Sequence, residues 1–141
     1  MNPTLQEIFA GIVGGNRVVV REKVKEALDA GLNPATILSE GMIAAMARVG
    51  KLFEDGECYV PEMLVAARAM QEGLAILKPY LVETKVQSAG KVIAGTVQGD
   101  LHDIGKNLVC MMLEGAGFEI HDLGIDVSPD RFVEAVQTQH P

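Results

Sequence analysis

Before residue 88, apolar positions recur at spacings of three and four, the period of a helix with one buried face. Leu38, Met42, Ala45, Val49 and Leu52 form one such face, and Met63, Ala67, Met70, Leu74 and Leu77 form another. Start and stop signals divide the segment. Asn2-Pro3 sets a capping residue before a proline at the first helical position, so a short helix is expected to about Val13, where Gly14-Gly15 ends it. A second helix is expected from about Arg17 to Ala30, with Gly31 as its stop. Asn33-Pro34 caps a third, which Asp55-Gly56 ends, and Pro61-Glu62 opens a fourth. Four helices joined by short loops predict an antiparallel bundle.

The pattern then changes. Glu83 to Gly90, "ETKVQSAG", reads as a polar linker. Lys91 to Val97 is an apolar, β-branched run, expected to be a fully buried strand. Ile104 to Gly115 has helical spacing, with Ile104, Leu108, Met111 and Met112 expected inward. Phe118 to Leu123 reads as a second strand, and Ser128-Pro129-Asp130 caps a helix expected to run to about Gln137. The order β-α-β-α is the opening of a parallel α/β sheet. The expected organisation is a helical domain over residues 1–88 and an α/β domain over residues 89–141.

Composition narrows the function. The 141-residue chain is 48% hydrophobic, enough to bury a core, and its net charge of -7 argues against a nucleic-acid partner. No apolar run is long enough to span a membrane, and Glu7 stands where a signal peptide would be apolar. Cys58 and Cys110 lack metal or redox spacing and read as reduced thiols of a cytoplasmic protein. Trp is absent while Met occurs seven times, so the core is aliphatic and Met-rich, suited to packing against irregular apolar surfaces.

The candidate chemistry lies between the first strand and the helix after it, in "GTVQGDLHDIGKNLV", Gly95 to Val109. Ligands of open α/β sheets bind beyond the carboxyl ends of the strands. A histidine that ligates a metal must present one neutral ring nitrogen, and a carboxylate commonly holds the other. Asp100, two residues before His102, can do this, and Gly99 and Gly105 remove side chains where a bulky ligand would approach. The competing reading is a solvated loop histidine. No cluster of His, Cys or carboxylates completes a protein-only zinc site. A single-histidine site therefore implies a metal already held by a macrocycle, either haem or corrin. His121 and His140 read as a strand residue and a frayed terminus. The glycine spacing matches neither a dinucleotide turn nor a P-loop.

This segment resembles the D-x-H-x-x-G motif of corrinoid (cobalamin-binding) methyl-carrier proteins of methyltransferase systems and of the corrin-binding region of methionine synthase. "GMIAAMARVGKLFEDGECYVPEMLVAARAMQEGLAILKPYL", Gly41 to Leu81, is similar to the helical cap that precedes that region. The resemblance runs from about residue 5 to the end. It is closest to the small corrinoid proteins that partner methanol-, methylamine- or methoxyaryl-type methyltransferases. It implies an N-terminal four-helix bundle followed by a flavodoxin/Rossmann-like parallel-sheet domain that binds cobalamin. His102 would be the lower axial ligand of cobalt in place of the cofactor's own base, with Asp100 holding its far nitrogen. Gly99, Leu101, Asp103, Ile104 and Gly105 would line the lower corrin face. Phe53, Val60 and Met63 match the cap positions over the upper face, and Glu40 aligns with a further cap contact across one gap. Plain core packing is the competing reading for each of Phe53, Val60 and Met63.

The implied function is a methyl carrier rather than a free-standing enzyme. Cobalt would accept a methyl group as Co(I) from a substrate-specific methyltransferase. As methyl-Co(III) it would pass the group to a second one. In the family, later strands carry an S-x-L and a Gly-Gly segment that hold the nucleotide tail, and this sequence reaches Pro141 before either. The expectation is a truncated α/β domain, weak cofactor retention, and self-association through the strand edge at Lys91 to Val97. Two rival readings are a cobalamin-dependent sensor or regulator and a cobalamin-free interaction module. The methyl donor is not legible in these residues.

Overall fold

The computed structural model describes residues 2–83 and 88–141. Residues 84–87, the centre of the expected linker, lie outside the described residues. The chain divides into two compact units, Met1–Val86 and Gln87–Pro141.

The first unit is helical. It contains α1 (Pro3–Val13), α2 (Arg17–Asp29), α3 (Pro34–Thr36) running without a break through a π-helical segment (Ile37–Ile43) into α4 (Ala44–Glu54), and α5 (Val60–Glu83). Asn2 and Asn33 are the caps the sequence signals, and Asn16 is a third that it did not. Asn2 accepts the Thr4 N–H at 2.8 Å, Asn16 that of Val19 at 3.2 Å, and Asn33 that of Ala35 at 2.8 Å. Each satisfies a donor that the first helical turn would leave unpaired. Glu62 reaches back to the Tyr59 N–H at 2.9 Å, which starts α5 one residue before Pro61. Around the core α1 lies beside α2, α2 beside α5, α5 beside α4, and α4 beside α1.

Leu5, Ile8, Ile12, Val20, Val24, Met70 and Leu77 are fully buried there. Met63, Ala67, Met70, Leu74 and Leu77 all face inward, as their spacing predicts. The third helix departs from its predicted face. Met42, Ala45 and Val49 are buried, but Leu38 is half-buried and Ile37 takes the core position instead. The π segment is the reason. Its hydrogen bonds run from i to i+5, so the residue below Met42 on the inner face is five positions back, not four.

The second unit consists of β1 (Lys91–Ala94), α6 (Ile104–Gly115), β2 (Glu119–Asp122) and α7 (Pro129–Gln139). β1 and β2 pair in parallel, with Lys91 opposite Glu119 and Ala94 opposite Asp122, and α6 makes the crossover. Both strands are shorter than predicted, and β1 is half-buried rather than fully buried. The ladder stops at Ala94, and α7 lies against the next residue. A Cβ at Gly95 would lie 2.9 Å from the Phe132 ring. Thr96 and Val97 then pair with the chain after β2, through Gly124 and Val127. Ile104, expected inward, is 86% exposed; it opens α6 beyond the end of the ladder and has no sheet beneath it. Leu108, Met111 and Met112 are half-buried, and Cys110 is the buried side chain of the helix.

Lys106 joins the first turn of α6 to the last residue of β2, with Nζ 2.7 Å from Asp122 Oδ1. The Gly124 N–H donates to the same oxygen at 2.8 Å. The ammonium, and then this amide, hold the Asp122 carboxyl below the usual carboxylate range. Ser128 caps α7 by accepting the Arg131 N–H at 3.3 Å. His121 lies on β2 with Nε2 3.1 Å from Glu119 Oε1, and His140 closes α7 in a left-handed conformation. Among the described residues no helix is long and apolar enough to cross a membrane.

Gly73 sets how closely α2 and the π segment approach α5. A Cβ at that position would lie 2.7 Å from Val20 Cγ1 and 3.0 Å from Met42 Cε. Gly73→Leu is expected to overpack this contact and destabilise the helical unit by about 1–3 kcal/mol. Urea unfolding followed by circular dichroism measures it, and an unchanged midpoint would show that the helices have room to spare.

Candidate metal-ligand site

The loop from β1 to α6 turns at Val97–Asp100, where the Asp100 N–H donates to the Val97 carbonyl at 3.1 Å. Gly99 is the third residue of the turn, at φ +83°, the left-handed region that such a turn requires there and that glycine adopts without strain. Asp100 then bonds two residues ahead. Its Oδ1 accepts the His102 backbone N–H at 2.9 Å and lies 2.5 Å from His102 Nδ1. Those two contacts, the backbone one first, hold the Asp100 carboxyl below its ordinary range.

An ionised carboxylate can only accept, so the nitrogen facing it, Nδ1, is the donor, and Nε2 is the ring nitrogen left for another partner. The His102 side chain is 97% exposed. The loop around it is open and carries exposed apolar side chains. Leu101 is exposed, as are Ile104 and Val97, and a Cβ added at Gly99 or Gly105 would meet no atom within 4 Å. Asp103 begins α6 and receives the Asn107 side-chain N–H at 3.4 Å. The local site residues expected from the sequence thus come together on one loop and one helical turn.

Three supports went unread in the sequence. Thr96 donates its hydroxyl to the His102 carbonyl at 2.7 Å, Asp126 accepts the Gly99 N–H at 2.8 Å, and Lys106 pairs with Asp122. Asp126 carried a faint signal, an aspartate just after a Gly-containing turn, a residue type that tolerates its φ of +52°. Thr96 carried none, because threonine is ordinary in a strand.

In the helical unit Phe53 stands in the last turn of α4 and Val60 at the start of α5, and both are exposed. The connecting Tyr59 is exposed as well. Met63 is only 7% exposed and belongs to the core. Glu40 is exposed on the π segment.

Among the described residues, no three His, Cys, Asp or Glu side chains are grouped so that they could hold a metal ion. The loop offers one oriented imidazole, exposed beside the apolar side chains of Leu101 and Ile104. That donor set fits a metal whose remaining ligands come with it, as cobalt's do in a corrin, and does not fit a bare ion.

Comparison with known proteins agrees with that chemistry. Residues 4–78 match a model described as B12 binding domain, and residues 90–141 match a second of the same description. The chain is 43% identical over 125 residues to trimethylamine corrinoid protein 2 of Methanosarcina acetivorans, covering 87% of this chain and 58% of that protein. Dimethylamine corrinoid protein 2 of the same organism is 42% identical over 134 residues, with 92% and 60% covered. The chain thus spans somewhat more than half the length of these relatives. Among solved structures, the methanol:cobalamin methyltransferase complex MtaBC of Methanosarcina barkeri superposes with a TM-score of 0.90 at 30% identity, covering 99% of this chain and 54% of that one. The monomethylamine corrinoid protein of Methanosarcina barkeri gives 0.61 at 36% identity, with 94% and 62% covered. With its helical and its α/β segment each matching a B12 binding domain, and a carboxylate-held histidine on the second, the chain belongs to the family of B12-binding corrinoid proteins.

Proposed function

We propose that the chain carries a methyl group between two methyltransferases and binds its corrinoid with His102 as the lower ligand of cobalt. The observation that carries this reading is the Asp100–His102 pair, in which Nδ1 faces the carboxylate and the almost wholly exposed ring leaves Nε2 on its other side. The corrinoid would supply a metal centre able to take up and release a methyl group. The chain's own residues bind, orient and shield. His102 would donate through Nε2, and Asp100 would keep the proton on Nδ1 and make the ring a better donor. Gly99, Leu101, Asp103, Ile104 and Gly105 would line the lower face of the macrocycle.

Residues 1–88 act in this reading as the cap. Phe53 and Val60 would keep water from the methyl-bearing face, with Met63 as core support behind them. One relative of known structure is a methanol:cobalamin methyltransferase complex, which supports a substrate-specific methyltransferase as one partner. The second, methyl-accepting methyltransferase follows from the carrier role. Free Cys58 and Cys110 suit a cytoplasmic setting. The chain itself would perform no catalytic step.

His102→Ala is expected to leave added cobalamin without a protein nitrogen on cobalt, seen by absorbance and by nitrogen coupling in paramagnetic resonance. Asp100→Asn should retain the ligand with affinity reduced by about 10–100-fold. A His102→Ala spectrum matching the parent's would remove His102 from the site.

Phe53→Ala is expected to leave that spectrum intact and to accelerate photolysis of bound methylcobalamin, with circular dichroism confirming the fold. Unchanged photolysis would place the cap residues elsewhere.

Among the described residues β1 pairs with β2 alone, which leaves its other edge open to a second copy of the chain. Light scattering on the purified chain should show concentration-dependent association, and a strict monomer would dismiss it.

A further inference from the structure

The Asp100–His102 contacts orient the ring relative to its own turn. They do not orient that turn relative to the rest of the α/β unit. The imidazole is almost wholly exposed, so packing does not position it either. What ties the loop down are bonds from two residues outside the motif.

The first is Thr96, the buried polar side chain among the described residues, at 7% exposure. Its N–H donates to the Gly124 carbonyl and its carbonyl accepts the Val127 N–H, both at 2.9 Å. The chain after β2 thereby locks its backbone. From that fixed point its hydroxyl reaches six residues ahead to the His102 carbonyl at 2.7 Å. The second is Asp126. Its carboxylate accepts the Gly99 N–H at 2.8 Å, while its own N–H donates to the Asp100 carbonyl at 3.1 Å. One residue thus grips the turn on both sides of the Gly99–Asp100 peptide.

We infer that Thr96 and Asp126 are positioning residues that clamp the ligand loop to the chain following β2 and so place His102 Nε2 where a metal can meet it. The inference rests on the reading of His102 as a ligand. A ligand atom that must sit within a few tenths of an ångström needs support from groups that are themselves held. Here the hydroxyl is buried, and the carboxylate is set by a left-handed backbone.

Two measurements test it. The first needs no cofactor. Backbone 15N relaxation on the chain alone should give Gly99–His102 order parameters of about 0.85, falling below about 0.6 in Thr96→Val and in Asp126→Gly. The glycine tolerates the positive φ, so that variant removes the carboxylate without adding strain. Thr96→Ser and Asp126→Asn, which keep a hydroxyl and an acceptor, should restore the rigid values. A loop already mobile in the parent, or one that stays rigid in both disruptive variants, overturns the inference.

The second measurement is a double-mutant cycle read by cobalamin titration. Thr96→Val and Asp126→Gly should each weaken binding by about 10–100-fold in the parent and leave it unchanged in a His102→Ala background. Equal losses in both backgrounds would reduce the two residues to general structural support and overturn the inference. His102→Ala binding as tightly as the parent would instead defeat the ligand reading, with the relaxation data still deciding whether the clamp exists.

Discussion

The site depends on one carboxylate oxygen. Asp100 Oδ1 accepts from the backbone N–H and from the ring Nδ1 of the same histidine. The first contact closes the turn, and the second chooses which nitrogen keeps the proton. Without the second, a free imidazole would favour the other tautomer and offer the nitrogen nearer its own backbone. Two residues of chain therefore set the orientation of the ring without help from a distant group. The cost is an imidazole with almost no packing around it, and the loop must supply the precision that burial would otherwise give.

The α/β unit is arranged to supply it. The parallel pairing of β1 and β2 sends both carboxyl ends to one edge, and the loops that leave this edge hold each other. Gly95 lets Phe132 of α7 come against the chain just after β1, and Thr96 beyond it bonds with the neighbouring loop. Lys106 and Asp122 tie the start of α6 to the end of β2, so the helix that follows the His102 loop is held at the same edge. A strand that ran on to Val97 would have spent these backbone groups within the sheet.

The helical unit works by packing rather than by hydrogen bonds. Its core combines branched side chains such as Ile8, Ile12 and Val24 with Gly73 and several methionines and alanines. The π segment widens one turn of the third helix and brings Ile37 instead of Leu38 to the core. Phe53 and Val60, left exposed beside the α4–α5 connection, are apolar side chains without a core role, whereas Met63 has one.

The sequence by itself determined most of the framework. Helix starts and stops were legible because caps and left-handed glycines act within a few residues, and the Asp100–His102 pair was legible because its partners are two positions apart. The shift of the third helix, the early end of β1 and the exposure of Ile104 were not. Nor were the roles of Thr96 and Asp126. The helix shift comes from five-residue hydrogen bonding that a three-and-four pattern does not reveal. The others involve contacts between segments far apart in the chain, such as the 27 residues separating Gly99 from Asp126. Local pattern shows which residues can form an element. Only the meeting of elements decides where a strand must stop, which side chain has a surface to lie on, and which hydroxyl or carboxylate finds a loop within reach.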